Sequence, residues 1–185
     1  MNDDAQLIDR TLAGQSTAFG QLVEKYQDRL YNTVVHVVGN AEDAKDVVQE
    51  AFVQAFLKLA SFQGASAFYT WLYRIAFNVA ATHRRQRRAM WAAEQARQRD
   101  GSPPGAAQSP SRRIEQEECR RQVHRAIGRL GEEYRAVLVL REIDGCCYET
   151  IAEILEVPIG TVRSRLHRAR LQLREELREV LAVEP

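Results

Sequence analysis

A cluster of basic residues follows a short turn near the carboxyl end of the chain. The turn, Glu156-Val157-Pro158, lies between an apolar-periodic stretch from Tyr148 to Leu155 and a second stretch that begins at Ile159. This pattern predicts a helix-turn-helix, in which the second helix enters the major groove of DNA while its basic flank neutralises phosphates. The second stretch combines an apolar inner face with many basic residues: Arg163, Arg165, His167, Arg168 and Arg170.

The polar residues of this second predicted helix divide by their angle around its axis. One outward stripe holds Ser164, His167 and Arg168. We expect this stripe to contact base edges, since arginine can pair bidentately with guanine. The remaining polar residues are better placed for backbone phosphates: Thr161, Arg163 and Arg165. The alternative is an arginine-rich solvated helix whose charges pair with acids further along it: Glu175, Glu176 and Glu179.

A second nucleic-acid hypothesis rests on aromatic residues that precede a basic stretch in the N-terminal half. Such interleaving suits single-stranded nucleic acid, because bases stack on the rings while arginines follow the backbone. Tyr69 and Tyr73 lie off the predicted apolar stripe, and with Trp71 at its edge they are the better stacking candidates. The alternative is that these rings pack in a helical core. The whole stretch contains Phe62, Phe68, Tyr69, Trp71 and Tyr73, then Asn78, His83, Arg84, Arg85, Arg87 and Arg88.

Signatures of enzymatic chemistry are missing from the sequence. It has no glycine-rich phosphate loop, nucleophile elbow or metal-binding histidine pair. The four histidines and Cys119 lack the spacing of a zinc site. We therefore expect a protein that is not an enzyme and that holds neither a metal ion nor another cofactor.

Length, charge, cysteine content and hydropathy exclude several classes of protein. Its 185 residues allow one domain or two small ones and exclude a large multidomain enzyme. The net charge of +1 hides a basic segment, because residues 84–113 carry +6, residues 1–83 carry −3 and residues 114–185 carry −2. The three cysteines form no disulfide framework, and neither a signal peptide nor a membrane-spanning run is visible. A cytoplasmic location is therefore expected.

Apolar residues recur at spacings of three and four, which predicts helices in both halves of the chain. In the N-terminal half these are Leu7 to Leu12, a helix from a Ser16 cap to Val38, one after Asn40 through Leu59, and one from near Ser66 through Val79. In the C-terminal half they are Ile114 to Leu130, Tyr134 to Ile143, Tyr148 to Leu155, and Thr161 to Leu181. The proline- and glycine-rich stretch Gly101 to Gly105 predicts a flexible linker. The expected fold is all-α, with two small helical domains, residues 1–91 and 114–185, joined by the linker 92–113.

Three of these segments together resemble the extracytoplasmic-function (ECF) group of bacterial sigma-70-type RNA polymerase sigma factors. The resemblance covers nearly the whole chain. It implies sigma region 2 in the N-terminal domain, region 4 in the C-terminal domain, and a factor that directs core polymerase to promoters. The motifs are DVVQEAFVQAF (Asp46 to Phe56), SFQGASAFYTWLYRIAFN (Ser61 to Asn78) and YETIAEILEVPIGTVRSRLHRAR (Tyr148 to Arg170).

The resemblance also assigns functional residues to three surfaces. From its spacing alone, the acidic face of the second predicted helix would be a solvated surface. The resemblance implies that it docks on the clamp helices of the largest polymerase subunit, through Asp43, Asp46, Gln49, Glu50 and Phe52. The single-stranded minus-ten element, with one base flipped into a loop pocket, would be held by Phe62, Ser66, Tyr69, Trp71, Tyr73, Asn78, Arg84 and Arg85. The minus-thirty-five duplex would be read by Thr161, Arg163, Ser164, Arg165, His167 and Arg168.

Partners follow from the same resemblance. They are core RNA polymerase, through its clamp helices and its flap, promoter DNA, and an anti-sigma factor. The segment from about Ile114 to Ile143 would meet the flap. The free chain is expected to be a monomer without direct membrane insertion.

Two features depart from the family pattern. Glu156 stands in the turn where the family commonly has glycine, which would cost about 1 kcal/mol if the backbone there is left-handed. Cys146 and Cys147 replace residues that are more usually small or polar, which leaves a redox role open.

Other classes of protein share some of these features. One is a self-sufficient helix-turn-helix repressor whose N-terminal bundle dimerises or senses a ligand, and which would need a symmetric operator. Another is an interaction module that sequesters a partner, for which Arg168 and Ser164 would be replaceable without effect on transcription.

Overall fold

Helices make up the regular structure of both halves of the chain. The computed structural model describes residues 3–97 and 122–181, and within these ranges every regular element is helical. This confirms the predicted all-α class. The predicted linker lies outside the described residues from position 98 onward, as do Ile114 and Cys119.

Four helices and a short turn form the N-terminal half in residues 3–97. They are α1 (Asp3–Leu12), α2 (Ser16–Val38), α3 (Ala41–Lys58), a 3₁₀ turn (Leu59–Ser61) and α4 (Phe68–Arg97). Helix α3 begins where its sequence predicts, because the Asn40 side chain accepts a hydrogen bond from the Asp43 amide at 2.8 Å. Helix α2 begins one residue before the expected place, since Gln15 and not Ser16 holds the capping position. Helix α4 continues past the expected domain boundary at residue 91.

The C-terminal half contains the predicted pair of helices with a turn, preceded by shorter helical segments. They are α5 (residues 122–129), α6 (Glu132–Leu138), a π-helical continuation of α6 (Val139–Ile143), α7 (Tyr148–Leu155) and α8 (Ile159–Leu181). The π-helical turn ends with the Asp144 amide donating to the Val139 carbonyl at 3.1 Å. Gly145 follows with a φ of 75°, a conformation that favours glycine. This turn fixes the position of Asp144.

The apolar stripes that the sequence predicts are the buried faces of the helices. In the N-terminal half Leu22, Leu30 and Val47 are inaccessible to solvent or nearly so, as are Ile151 and Val162 in the C-terminal half. Burial of such side chains stabilises each by about 1.5–3 kcal/mol relative to exposure, which is why the amphipathic helices assemble.

The two halves pack directly against each other. Helix α7 lies on α4, and the π-helical turn lies on α2, so that buried residues of both halves form one continuous apolar cluster. Tyr73 of α4 is fully buried at this contact. The linker sequence alone fixes no geometry between the halves, so this arrangement is a finding of the structure.

Candidate nucleic-acid and polymerase interfaces

The helix-turn-helix is closed by backbone hydrogen bonds around Glu156. This residue ends α7 in the left-handed conformation, with φ 53° and ψ 44°. The next amide, that of Val157, donates to the Ala152 carbonyl at 3.1 Å. The Pro158 carbonyl then accepts from the Thr161 amide at 2.8 Å, which starts α8. The backbone of the turn is therefore left-handed at Glu156.

Helix α8 presents a polar face outward from the turn. Its inner residues Val162, Leu166 and Ala169 are buried. The outward face brings together the three predicted base-contacting residues, which are all exposed: Ser164, His167 and Arg168. Arg163 is exposed beside them. A major groove could therefore meet this face without any change in the fold of the two helices.

Two other polar residues of α8 are held by the protein itself. Thr161 is half-buried at the first turn. Arg165 is also half-buried, and its guanidinium lies 2.6 Å from the Glu133 carboxylate of α6. The alternative interpretation of α8, as a helix neutralised by its own acids, applies only to its far end, where Glu175 pairs with Arg178. Glu176 pairs instead with Arg129 of α5.

The predicted polymerase-binding residues divide between the outside and the inside of α3. Asp46, Gln49 and Glu50 are exposed on one side of the helix. Asp43 is half-buried and forms an ion pair with Arg87 of α4. Phe52 points inward and meets the Phe19 ring edge-on at a centroid distance of 6.5 Å. Phe52 therefore supports the surface from beneath.

An exposed apolar patch, made of Val53, Phe56 and Leu57, continues the α3 surface beyond Glu50. Leu57 is 73% exposed. Periodicity places Phe56 on the buried stripe, yet it lies at the edge of the core, where its ring contacts Phe19 and leaves 45% of the residue exposed. Apolar side chains grouped on a surface mark sites of protein contact. Of the three, Val53 and Leu57 fall off the apolar stripe in the sequence, which is the signal that could have revealed the patch.

An aromatic cluster lies where the loop 62–67 enters α4. The rings of Phe62 and Trp71 are 5.1 Å apart, and Phe68 contacts both. Phe68 is buried, while Phe62 and Trp71 are half-buried. Ser66 is half-buried in the same loop. The cluster supports the loop from below and leaves part of two rings at its surface.

Tyr69 and Tyr73 face the C-terminal half of the molecule. Their hydroxyls donate to the Asp144 carboxylate at 2.8 and 3.1 Å. Burial raises the pKa of both phenols above the usual value, which keeps them as neutral donors. The sequence places the two tyrosines off the apolar stripe of α4, but this prediction is wrong for Tyr73, which is fully buried in the core, and Tyr69 packs half-buried against the same core.

The middle of α4 carries the remaining minus-ten candidates. Asn78 and Arg85 are exposed. Arg84 is half-buried, 3.2 Å from the Glu132 carboxylate of α6, and burial lowers its pKa. A groove of about 550 Å³ runs between α3 and α4, and its lining includes both Asn78 and Glu50. The candidate strand-binding and polymerase-binding surfaces are therefore neighbours.

Two further kinds of site are absent from the described residues. Within 3–97 and 122–181 no helix is long and apolar enough to cross a membrane. In the same ranges no group of three or more histidine, cysteine, aspartate or glutamate side chains is placed to hold a metal ion.

Two protein-family models match the chain in the order that its motifs suggest. Residues 22–90 match Sigma-70 region 2, and residues 120–173 match Sigma-70, region 4. The first match spans α3, the loop 62–67 and most of α4. The second spans the helix-turn-helix.

Relatives match over almost the full length. The chain is 42% identical over 184 residues to the RNA polymerase sigma-H factor of Pseudomonas aeruginosa, covering 96% of this chain and 95% of that protein. It is 42% identical over 173 residues to the ECF RNA polymerase sigma-E factor of Escherichia coli, covering 90% of each.

Solved structures share the arrangement of both halves. CnrH in complex with the cytosolic domain of CnrY is similar with a TM-score of 0.71 and 27% identity, over 96% of this chain and 99% of that one. The sigma factor RpoE in complex with the anti-sigma factor NepR from Bartonella quintana is similar with a TM-score of 0.68 and 25% identity, over 90% of this chain and 98% of that one.

Proposed function

Because the chain belongs to the sigma-70 family of RNA polymerase sigma factors, in the ECF group, we propose that it directs core polymerase to promoters through two separate DNA contacts. The observation that carries this proposal is the exposed polar face of α8, held by an intact helix-turn-helix. The chain acts in transcription initiation by binding alone and catalyses no reaction itself. Its place of action is the cytoplasm.

Recognition of the minus-thirty-five duplex is the task of α8. Ser164, His167 and Arg168 are exposed together and can reach base edges. Arg163 is exposed next to them and suits a phosphate contact. Arg165 can join this contact once it leaves Glu133. A fixed turn and a rigid helix keep these groups in register with successive base pairs.

Capture of the minus-ten strand is the task of the loop 62–67 and α4. Phe62 and Trp71 offer partly exposed rings for stacking, and Asn78 offers an amide for hydrogen bonds to a flipped base. Extruding a base costs a few kcal/mol, which stacking and pocket contacts can offset. Tyr69 and Tyr73 can take part only after the C-terminal half has moved away from them.

Docking on core polymerase is assigned to the outer side of α3. Asp46, Gln49 and Glu50 give it an acidic rim, and the Val53, Phe56 and Leu57 patch gives it an apolar centre. This combination suits a partner helix that carries basic and apolar residues. Two weak DNA contacts on one chain become effective when the polymerase holds them at the promoter spacing.

An anti-sigma factor is a further partner. Two similar structures support this: RpoE is in complex with the anti-sigma factor NepR, and CnrH is in complex with the cytosolic domain of CnrY. We expect such a factor to cover the α3 surface or the DNA-binding faces.

Binding of the labelled full chain to bacterial core RNA polymerase tests this function. We expect saturable binding that the double variant Asp46→Ala, Gln49→Ala weakens. The matched control is Asp9→Ala, Gln21→Ala, which removes the same charge and one amide from exposed residues of α1 and α2 and should bind like the wild type. A folded chain that does not bind core polymerase would contradict the proposal.

A further inference from the structure

Two arginines lie on the flanks of the outward face of α8. At about 100° per residue, Arg165 and Arg170 lie roughly 110° to either side of the centre of the outward stripe. Side chains at such angles are placed for the phosphate backbones that border a groove rather than for the base edges inside it. These flanking arginines therefore suit contacts that do not depend on DNA sequence. The stripe itself consists of Ser164, His167 and Arg168.

Both flanking arginines are bound by carboxylates of α6 and its π-helical continuation. Glu133, in the first turn of α6, accepts a hydrogen bond from the Arg165 guanidinium at 2.6 Å. Glu142, in the π-helical continuation, accepts two hydrogen bonds from Arg170, at 3.1 and 2.6 Å. One continuous helical segment therefore neutralises α8 on both sides of its outward face.

The outward face is free of such internal carboxylates. Arg163 and Arg168 are exposed, and no ion pair among residues 3–97 and 122–181 includes either of them. Arginines of one helix are thus treated differently according to their angle around its axis. The two flanking arginines are neutralised, whereas Arg168, the arginine best placed for base edges, remains available.

The accessibility of the two ion pairs allows phosphates to compete for them. The side chains of Glu133 and Arg165 are 49% and 28% exposed, and those of Glu142 and Arg170 are 47% and 52% exposed. Ion pairs this accessible contribute little to the stability of a fold. A DNA phosphate can therefore displace either carboxylate. Because the displaced carboxylate loses its partner, the phosphate contact adds less affinity than a contact with an unpaired arginine.

We propose that Glu133 and Glu142 limit the sequence-independent affinity of α8 for DNA by withholding its flanking arginines from phosphates. Contacts to the DNA backbone add affinity for every sequence alike. Carboxylates that compete for these contacts therefore weaken binding to all sequences, and α8 stays on DNA only where base contacts by Arg168 add affinity. Glu133 and Glu142 are thus specificity-determining residues that lie outside the helix-turn-helix. This inference rests on the proposed function, because it concerns the same DNA-binding helix.

The salt dependence of DNA binding by the full chain tests the role of Glu133. Binding to a labelled random-sequence duplex is followed by fluorescence anisotropy. Glu133→Gln frees Arg165 for one phosphate contact, which should steepen the slope of log affinity against log salt concentration by about 0.9. The affinity of the variant relative to the wild type should therefore be about 3.5-fold higher at about 50 mM salt than at about 200 mM.

Glu142→Gln provides an independent second test, since it should act in the same way through Arg170. The matched control is Glu175→Gln, which breaks a similar ion pair with Arg178 at the far end of α8. It removes the same charge from the same half of the molecule and should leave the slope at the wild-type value. Circular dichroism verifies that each variant is as helical as the wild type.

A double variant separates the proposed mechanism from simple loss of a negative charge near DNA. If Glu133 acts through Arg165, then Glu133→Gln should not change the slope in a chain that also carries Arg165→Gln. Direct repulsion between the carboxylate and phosphates would instead give the same change of slope whether or not the arginine is present.

Two results would overturn the inference. One is a slope that Glu133→Gln and Glu142→Gln both leave at the wild-type value. The other is a steeper slope in Glu133→Gln that persists when Arg165 is also replaced. Failure of the wild type and of every variant to bind any duplex would contradict DNA binding by α8 itself, and the proposed function would fall together with this inference.

Discussion

Arg168 lies exposed on α8 beside Ser164 and His167. Of these three side chains it is the best suited to discriminate between bases, because its guanidinium can donate two hydrogen bonds to one guanine. Arg165, only three positions away, is engaged by Glu133. The same residue type on the same helix is thus exposed at one position and held by the protein at the other. Promoter selectivity should depend on the exposed one.

Replacing Arg168 by alanine should weaken binding to promoter duplex by about 10- to 100-fold, because a bidentate arginine contributes about 1–3 kcal/mol of discrimination. The measurement is binding of holoenzyme to a duplex selected by the wild-type holoenzyme from a random-sequence pool. Arg178→Ala removes the same charge from the far end of α8 and should bind nearly as well as the wild type. Equal losses in both variants would show that Arg168 contributes only general charge.

Single residues differ in how well their roles follow from the sequence. Ser164, His167 and Arg168 are exposed together as helical spacing predicts, because the inner face of α8 is set by its own apolar residues. Asp144 could not be singled out, since Arg29, its partner, is 115 residues away and the π-helical turn that aims it has no simple sequence signal. The side-chain pattern determines local faces, whereas contacts between the halves depend on packing.

The boundaries of helices and turns can also be predicted where local residues fix them, and less well elsewhere. The boundaries of α7 and α3 agree with prediction to within a residue or two, because cap residues and turn residues fix them locally. Helix α4 extends beyond the predicted end to Arg97, since the basic residues after Val79 are good helix formers despite their lack of apolar periodicity. The turn after α7 adopts a left-handed backbone at Glu156, a conformation that costs a residue with a side chain about 1–2 kcal/mol.

Replacing Glu156 by glycine should raise the free energy of unfolding by about 0.5–1 kcal/mol. The free energy gained by relieving the left-handed strain exceeds that lost with the Glu156–Arg74 ion pair. In this pair the nearest nitrogen and oxygen are 3.6 Å apart, and both side chains are partly exposed. Denaturant unfolding followed by circular dichroism measures the change. Glu156→Gln, which removes the ion pair and keeps the strain, should be slightly less stable than the wild type. A glycine variant no more stable than the wild type would contradict this account of the turn.

The contact between the two halves of the molecule contains charge as well as apolar surface, because the Arg29–Asp144 ion pair lies beside the shared apolar cluster. Burial alone would raise the pKa of Asp144, but hydrogen bonds from Arg29, Cys146 and Tyr69 outweigh it and hold the pKa below its usual value. A depressed pKa means that the folded state favours the ionised carboxylate. Its contribution to stability is therefore present above the pKa of an unfolded aspartate, about 3.9, and is lost as pH falls through the lower value in the folded chain.

Acid should therefore loosen the wild type more than a variant that lacks this carboxylate. From about pH 6 to about pH 3 the free energy of unfolding of the wild type should fall more steeply than that of Asp144→Asn. Other carboxylates titrate in both proteins, so the difference between the two slopes isolates Asp144. Denaturant unfolding over a series of pH values gives these slopes. Parallel slopes would show that the folded state does not favour the ionised form of Asp144.

Transcription in vitro tests the central claim most directly. Bacterial core RNA polymerase is mixed with a pool of DNA fragments, with and without the purified full chain, and the start sites of the transcripts are mapped. We predict discrete start sites that require the chain and that share one pair of upstream elements, with Arg168→Ala altering the preference at the distal element alone. Transcripts that are the same with and without the chain would contradict the claim that it is a promoter-specificity factor.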